Sequence, residues 1–279
     1  MKIAVTGASG FVGRHILRNL QNRDAEIVVV TRDATKLGEQ DGVRIVEMDI
    51  STANGDCFRA LGKPDVLIHL AWDGLPNYRS LHHFESELPS QYRFLSAMVA
   101  GGLCNLAVTG TCFEYGMQSG PLHEETLSLP INPYGFAKDA LRRELEFLKL
   151  SRSFNLTWAR LFYMYGEGQP KSSLYSQLRE AVRRGDRVFN MSGGEQLRDF
   201  LPVDEVAKRI VELAVQRKDF GVVNVCSGIP VSVRTLVERC IEENGWNIEL
   251  NFGFYPYPDY EPMAFWGTSR LLEARSVSQ

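Results

Sequence analysis

The chain has 279 residues, 44% of them hydrophobic and 23% charged, with a formal net charge of -3 at pH 7. That balance is ordinary for a globular protein and leaves no basic footprint for nucleic acid. No apolar run reaches the roughly 18–20 residues of a membrane span. The cysteines (Cys57, Cys104, Cys112, Cys226 and Cys240) are scattered and lack a CxxC spacing, so the expectation is reduced thiols in the cytoplasm and no metal site.

The chain enters a strand at once, Met1–Val5, without an apolar leader. Short β-branched runs then alternate with amphipathic stretches. Strands are predicted at Ile27–Val30, Val43–Val46, Val66–Leu70, Leu106–Thr109 and Leu156–Leu161, and helices at Phe11–Asn22, Ser90–Ala100 and Tyr134–Leu150. The strand runs are apolar throughout, as strands buried on both faces are, and strand–helix alternation predicts an α/β fold with a doubly wound parallel sheet. Residues 1–166 form the predicted dinucleotide-binding domain.

After Gly166 the texture changes. A helix near Ser172–Arg184 and a glycine turn at Ser192-Gly193-Gly194 precede a helix at Val203–Val215, whose first turn carries Asp204 and Glu205. Val222–Val225 reads as a buried strand, so 198–226 is expected to return to the sheet, leaving 167–197 and 227–279 as a smaller C-terminal substrate-binding lobe. Phe252–Phe265, rich in Pro and Tyr, reads as irregular.

Thr6-Gly7-Ala8-Ser9-Gly10-Phe11-Val12-Gly13 joins the first strand to the first helix. Glycines at 7, 10 and 13 permit a tight turn, close backbone approach to a pyrophosphate and close helix–strand packing, which makes the sheet Rossmann-type. An NAD-binding chain of this kind usually places an acid at the tip of the second strand. Here Val30-Thr31-Arg32 ends it, and Arg32 suits a 2′-phosphate, so NADP(H) is the expected cofactor; Asp33 lies one residue past the tip.

Tyr134-Gly135-Phe136-Ala137-Lys138 opens a helix behind Asn132-Pro133. Residues four apart share a helical face, so the Lys138 ammonium is expected to lower the Tyr134 phenol from its usual ~10 and make it a general acid. Thr111 stands at the end of the preceding strand, in Thr109-Gly110-Thr111-Cys112-Phe113-Glu114-Tyr115-Gly116.

With these come Asp65-Val66-Leu67-Ile68-His69-Leu70-Ala71, Arg160-Leu161-Phe162-Tyr163-Met164-Tyr165-Gly166 and Arg198-Asp199-Phe200-Leu201-Pro202-Val203-Asp204. In this order, over roughly residues 1–225, the chain resembles the extended short-chain dehydrogenase/reductase (NAD-dependent epimerase/dehydratase) family. The resemblance implies that Thr111 holds the substrate oxygen, Tyr134 passes the proton, and Lys138 tunes Tyr134 and grips the nicotinamide ribose. It further implies that Gly7, Ser9, Gly10, Phe11, Val12, Gly13, Asp49, Ile50, Leu70, Ala71, Thr109 and Phe162 meet the cofactor. Arg198 is implied to meet a sugar nucleotide's diphosphate, with an ion pair to Asp199 as the alternative. Tyr163 replaces the Asn usual at a substrate-contacting position. A homodimer through the helices holding Ser90–Ala100 and Tyr134–Leu150 is also implied.

Cys112-Phe113 occupy the places where dehydratases carry acids, and Glu114 is expected to point away, which argues against dehydration. The segment Tyr255–Gly267 resembles the C-terminal lobe of 4-keto-6-deoxy-sugar nucleotide reductases. The expected activity is therefore NADPH-dependent reduction of the C4 ketone of a nucleoside-diphosphate sugar. A nucleotide-sugar epimerase, or a non-catalytic NADP-binding sensor, is the alternative. Trp72 and Tyr78, in the long segment Trp72–Pro89, together with Phe113, are the remaining candidates for substrate contact, although packing would equally explain the first two.

Overall fold

The structure, a computed structural model, describes residues 1–38, 41–53 and 55–270. Seven strands form the main sheet: β1 (Lys2–Thr6), β2 (Glu26–Thr31), β3 (Val43–Glu47), β4 (Val66–His69), β5 (Asn105–Thr111), β6 (Asn155–Leu161) and β7 (Gly221–Val225). All neighbours run parallel, in the order β3-β2-β1-β4-β5-β6-β7. The order reverses between β1 and β4, and α/β sheets of this kind bind ligands beyond the strand ends at such a switch point.

Strand alternation sorts the core into two layers. Ile3, Val5, Ile27, Val29, Val66 and Ile68 face α1 (Phe11–Gln21) and a helix at Val203–Val215. Ala4, Val28, Val30, Leu67 and Val108 face the other way, onto α2 (Leu88–Gly101) and α3 (Pro133–Lys149). Helix α2 starts before the expected Ser90: Pro89 fits its first turn, and a π-helical turn at His83–Glu87 runs straight into it. Helix α3 takes its N-cap from Asn132, whose side-chain oxygen accepts from the Gly135 amide.

Helices Leu174–Arg184 and Val233–Asn244 pack with a two-stranded sheet, Val188–Asn190 and Glu249–Asn251, around Leu178, Phe189, Met191, Val237 and Ile248. The helix Val233–Asn244 is absent from the sequence reading, although its Ser232 N-cap and Gly245 C-cap are the local signals that announce one. The tail is irregular from Phe252 to Met263, as expected, and becomes ordered only at its end. Ala264 bridges to Leu197, and Phe265–Gly267 pairs in parallel with Gly120–Leu122. No helix among the described residues is long and apolar enough to cross a membrane.

Candidate active site

The glycine turn closes over the ends of β1 and β4. Gly7 has φ +71°, and a Cβ there would lie 2.7 Å from the Ala71 amide nitrogen. At Gly13 a Cβ would come within 2.2 Å of the Gly7 carbonyl oxygen, so the helix can meet the turn only without one. Gly10 is the N-cap of α1 and supplies no side-chain cap, which leaves the first-turn amides and the positive dipole end facing the cleft.

Beneath this turn runs a chain of hydrogen bonds. The amides of Leu70 and Ala71 donate to Thr6 Oγ1 at 3.2 and 3.3 Å. The Thr6 hydroxyl pairs with His69 Nδ1 at 2.8 Å, His69 Nε2 with Gln91 Oε1 at 2.7 Å, and Gln91 Nε2 donates to Glu87 at 2.8 Å. Only a neutral His69, accepting at Nδ1 and donating at Nε2, satisfies both neighbours. Burial pushes its pKa down to about 3, with the Lys138 charge adding to the effect.

A cleft of about 460 Å³ opens along this edge. Gly7, Ser9, Gly10, Arg32, Asp49, Ile50, Leu70, Ala71 and Trp72 line it, as does Lys36, which the sequence reading missed. Arg32 is exposed and pairs with Asp73 at 3.4 Å. Asp33 turns to cap Thr35, accepting from its amide at 3.0 Å, and Asp49 holds the Ser51 amide and hydroxyl at 2.9 and 2.7 Å. Phe11, Val12 and Gly13 build the helix start and do not line the cleft. Phe162 is buried against Tyr115 and Phe265, also away from it. The glycine floor, free amides and polar walls fit a dinucleotide.

Thr111, Tyr134 and Lys138 meet beside this cleft. The Tyr134 phenol lies close enough to Thr111 for that hydroxyl to act on it, and Lys138 Nζ donates to the Thr109 carbonyl at 2.9 Å. Gly135 allows this meeting: a Cβ there would lie 2.6 Å from the Phe113 carbonyl oxygen, on the turn that follows Thr111. The expected lowering of the phenol by Lys138 is corrected by the structure. Burial pushes the Tyr134 phenol up instead, with Tyr78 and Glu114 adding to the rise. Lys138 sits 6.0 Å from the ring centre of Tyr134 and is itself pushed down to about 7, chiefly by burial.

Aromatic rings surround the phenol. Trp72, Tyr78, His83 and Phe113 lie 5.9, 5.5, 5.3 and 6.3 Å from the Tyr134 ring centre. Trp72 also covers the Lys138 ammonium at 4.0 Å and donates from Nε1 to His83 Nδ1 at 3.1 Å. His83 was not among the sequence candidates; only the fold of the segment before α2 brings it here. Asp73, His82 and Glu87 each bring one potential ligand atom within 4.8 Å of the others. Asp73 already holds Arg32, and Glu87 accepts from Gln91 and the Asp73 amide.

Arg198 lies under the tail. Its buried guanidinium donates to Glu261 at 2.8 and 3.1 Å and to the carbonyls of Leu197 and Met263, and it stacks on Phe265 at 4.5 Å. The tail therefore occupies the guanidinium that the resemblance assigns to a diphosphate. Asp199 is not its partner, because that carboxylate accepts from the amides of Ser227 and Gly228. Tyr163 is packed between Phe200 and Phe265 under the same strap.

A switch-point cleft with a glycine floor, next to a Thr–Tyr–Lys set, defines a dinucleotide-dependent oxidoreductase-type site. Residues 3–226 match the family model described as the NAD dependent epimerase/dehydratase family, and the chain belongs to that family. It is 31% identical over 274 residues to "dTDP-6-deoxy-L-talose 4-dehydrogenase (NAD(+))" of Aggregatibacter actinomycetemcomitans, covering 96% of this chain and 99% of the relative. It is 28% identical over 273 residues to "dTDP-6-deoxy-L-talose 4-dehydrogenase (NAD(P)(+))" of Kitasatospora kifunensis, covering 92% and 83%. Among solved structures, MoeE5 in complex with UDP-glucuronic acid and NAD superposes with a TM-score of 0.83 at 28% identity, covering 98% of this chain and 92% of that one.

Proposed function

We propose that the protein reduces the C4 ketone of a nucleoside-diphosphate 4-keto-6-deoxyhexose with NADPH, in the making of sugars for surface polysaccharides. The observation that carries this reading is the meeting of Thr111, Tyr134 and Lys138 beside the glycine-floored cleft. The relatives named as 4-dehydrogenases support it, because oxidising a C4 hydroxyl and reducing a C4 ketone are one reaction in opposite directions.

A nicotinamide held in the cleft would supply the hydride. Thr111 is placed to hold the ketone oxygen, and Tyr134 to give that oxygen a proton as it gains an electron pair. Burial alone makes the phenol a weaker acid, and the Lys138 ammonium nearby offsets this by stabilising the phenolate left behind. The rings of Trp72, Tyr78 and Phe113 shield the transfer from water. The preference for NADPH rests on Arg32 and Lys36 at the cleft and on Thr31, not an acid, at the strand tip.

A homodimer through α2 and α3 is part of the same reading, supported by exposed Phe136, Phe147 and Leu150 along and just beyond α3. All five cysteines are free thiols, which fits a reducing cytoplasm. The deciding experiment offers a panel of nucleoside-diphosphate 4-keto-6-deoxyhexoses and follows NADPH absorbance. Oxidation with at least one sugar is expected. No oxidation with any member overturns the reading, and turnover of a nucleotide sugar without added reduced cofactor replaces it with an epimerase.

A further inference from the structure

The Thr111 turn rests on a buried charge that no part of the mechanism above uses. Glu114 is fully buried, one residue before Tyr115 and three after Thr111. The Thr111 amide donates to its Oε1 at 2.8 Å. Trp158 Nε1 donates to both carboxylate oxygens at 2.9 and 3.1 Å, and Arg160 Nε donates to Oε2 at 2.6 Å. Gly110 makes room for this approach: a Cβ there would lie 2.2 Å from Trp158 Nε1 and 2.5 Å from Glu114 Oε1. Arg160 in turn stacks on Tyr115 at 4.4 Å, donates to the Ser128 hydroxyl at 2.7 Å, and lies 4.0 Å from Asp139, the neighbour of Lys138 on α3.

Such a buried ion pair is a poor device for stability alone, since apolar side chains of similar volume commonly do as well. Its geometry suits orientation. The carboxylate is held from behind by strand β6 and pulls on the Thr111 amide, while Thr111 Oγ1 accepts from the Phe113 amide at 3.3 Å. These two bonds hold the turn that carries the Thr111 hydroxyl beside the Tyr134 phenol.

We propose that Glu114, anchored by Trp158 and Arg160, is a positioning residue that aims the Thr111 hydroxyl at the Tyr134 phenol and thereby sets the rate of proton transfer. This rests on the reading of Thr111 and Tyr134 as the pair that receives the ketone oxygen.

The test compares two double variants, neither of which strands a buried charge. Glu114→Gln with Arg160→Met keeps an amide oxygen that can accept from Thr111 and Trp158. Glu114→Met with Arg160→Met has no such acceptor. Both are checked by thermal melting and by NADPH binding through nucleotide fluorescence. A misaimed hydroxyl of this kind lowers kcat by about 100-fold. The Met/Met variant is expected to show that loss with KM and NADPH affinity little changed, and the Gln/Met variant to recover most of it. Equal kcat in the two overturns the proposal. If Met/Met does not fold, Glu114→Asp serves, since it keeps the charge for Arg160 but is one methylene short of the Thr111 amide. A lowered kcat at unchanged KM then supports the proposal, and a wild-type kcat overturns it. Thr111→Ala in the wild-type background separates the two readings. If it costs no activity, both the role of Thr111 and this inference fall. If it does cost activity while the Glu114 variants do not, only this inference falls.

Discussion

Arg198 and Glu261 lie 63 residues apart in the chain and face each other at 2.8 Å, with the Arg198 side chain 3% exposed and that of Glu261 10%. Removing one partner of a buried pair leaves the other charge without compensation. Glu261→Ala is expected to cost about 3 kcal/mol, near the lower end for broken buried pairs, because the carbonyls of Leu197 and Met263 still accept from Arg198. The urea midpoint measures it. If a substrate diphosphate takes the place of Glu261, UDP or dTDP should raise the melting temperature of the variant more than that of wild type. Equal shifts would show that Arg198 serves only to hold the tail.

Tyr134→Phe removes the proton donor and leaves the ring among Trp72, Tyr78, His83 and Phe113. General acid catalysis contributes about 100- to 10,000-fold, so kcat should fall within that range while NADPH still binds. Single-turnover absorbance separates the chemical step from binding. An unchanged rate would show that Tyr134 is not the proton donor.

How much of this was legible in the sequence depended on distance along the chain. The glycine turn and Tyr134–Lys138 lie within a few residues of one another, where local geometry fixes which groups meet. Thr111 stands two residues past the predicted run Leu106–Thr109, and its role came from the family resemblance. Glu114 could not be understood that way: its partners Trp158 and Arg160 belong to β6, and only the pairing of β5 with β6 brings them beneath Gly110. The partner of Arg198 was hidden for a similar reason, since a motif carries no information about a carboxylate in the tail. The sign of the Tyr134 shift failed because a four-residue spacing says where an ammonium stands and nothing about how deeply the phenol is buried.

Arg32 and Lys36 together decide the cofactor under the proposed reading. Arg32→Ala should raise KM for NADPH by about 10- to 150-fold, as expected for losing a charge-assisted hydrogen bond worth about 1.5–3 kcal/mol. KM for NADH should stay within about 2-fold, because NADH carries no 2′-phosphate for the arginine to hold. Lys36→Ala should act in the same direction. Equal losses for both cofactors would place Arg32 at the pyrophosphate or at Asp73 instead.

His69 and Lys138 each make the stability of the folded protein rise with pH, in two separate windows. For His69 the folded pKa, about 3, lies below the ordinary 6.5, so between those values the unfolded chain binds a proton that the folded one refuses. Stability therefore rises with pH across that window and is lost as pH falls from 6.5 toward 3, by at most about 1.4 kcal/mol per pH unit. For Lys138 the window runs from about 7 to 10.5: burying the ammonium destabilises the fold below it, and stability rises as pH climbs through it. His69→Asn isolates the first effect. Its deficit against wild type, read from urea midpoints, should be larger at pH 7 than at pH 5. A deficit that is the same at both would mean that His69 titrates normally and that the chain from Thr6 to Gln91 does not hold it neutral.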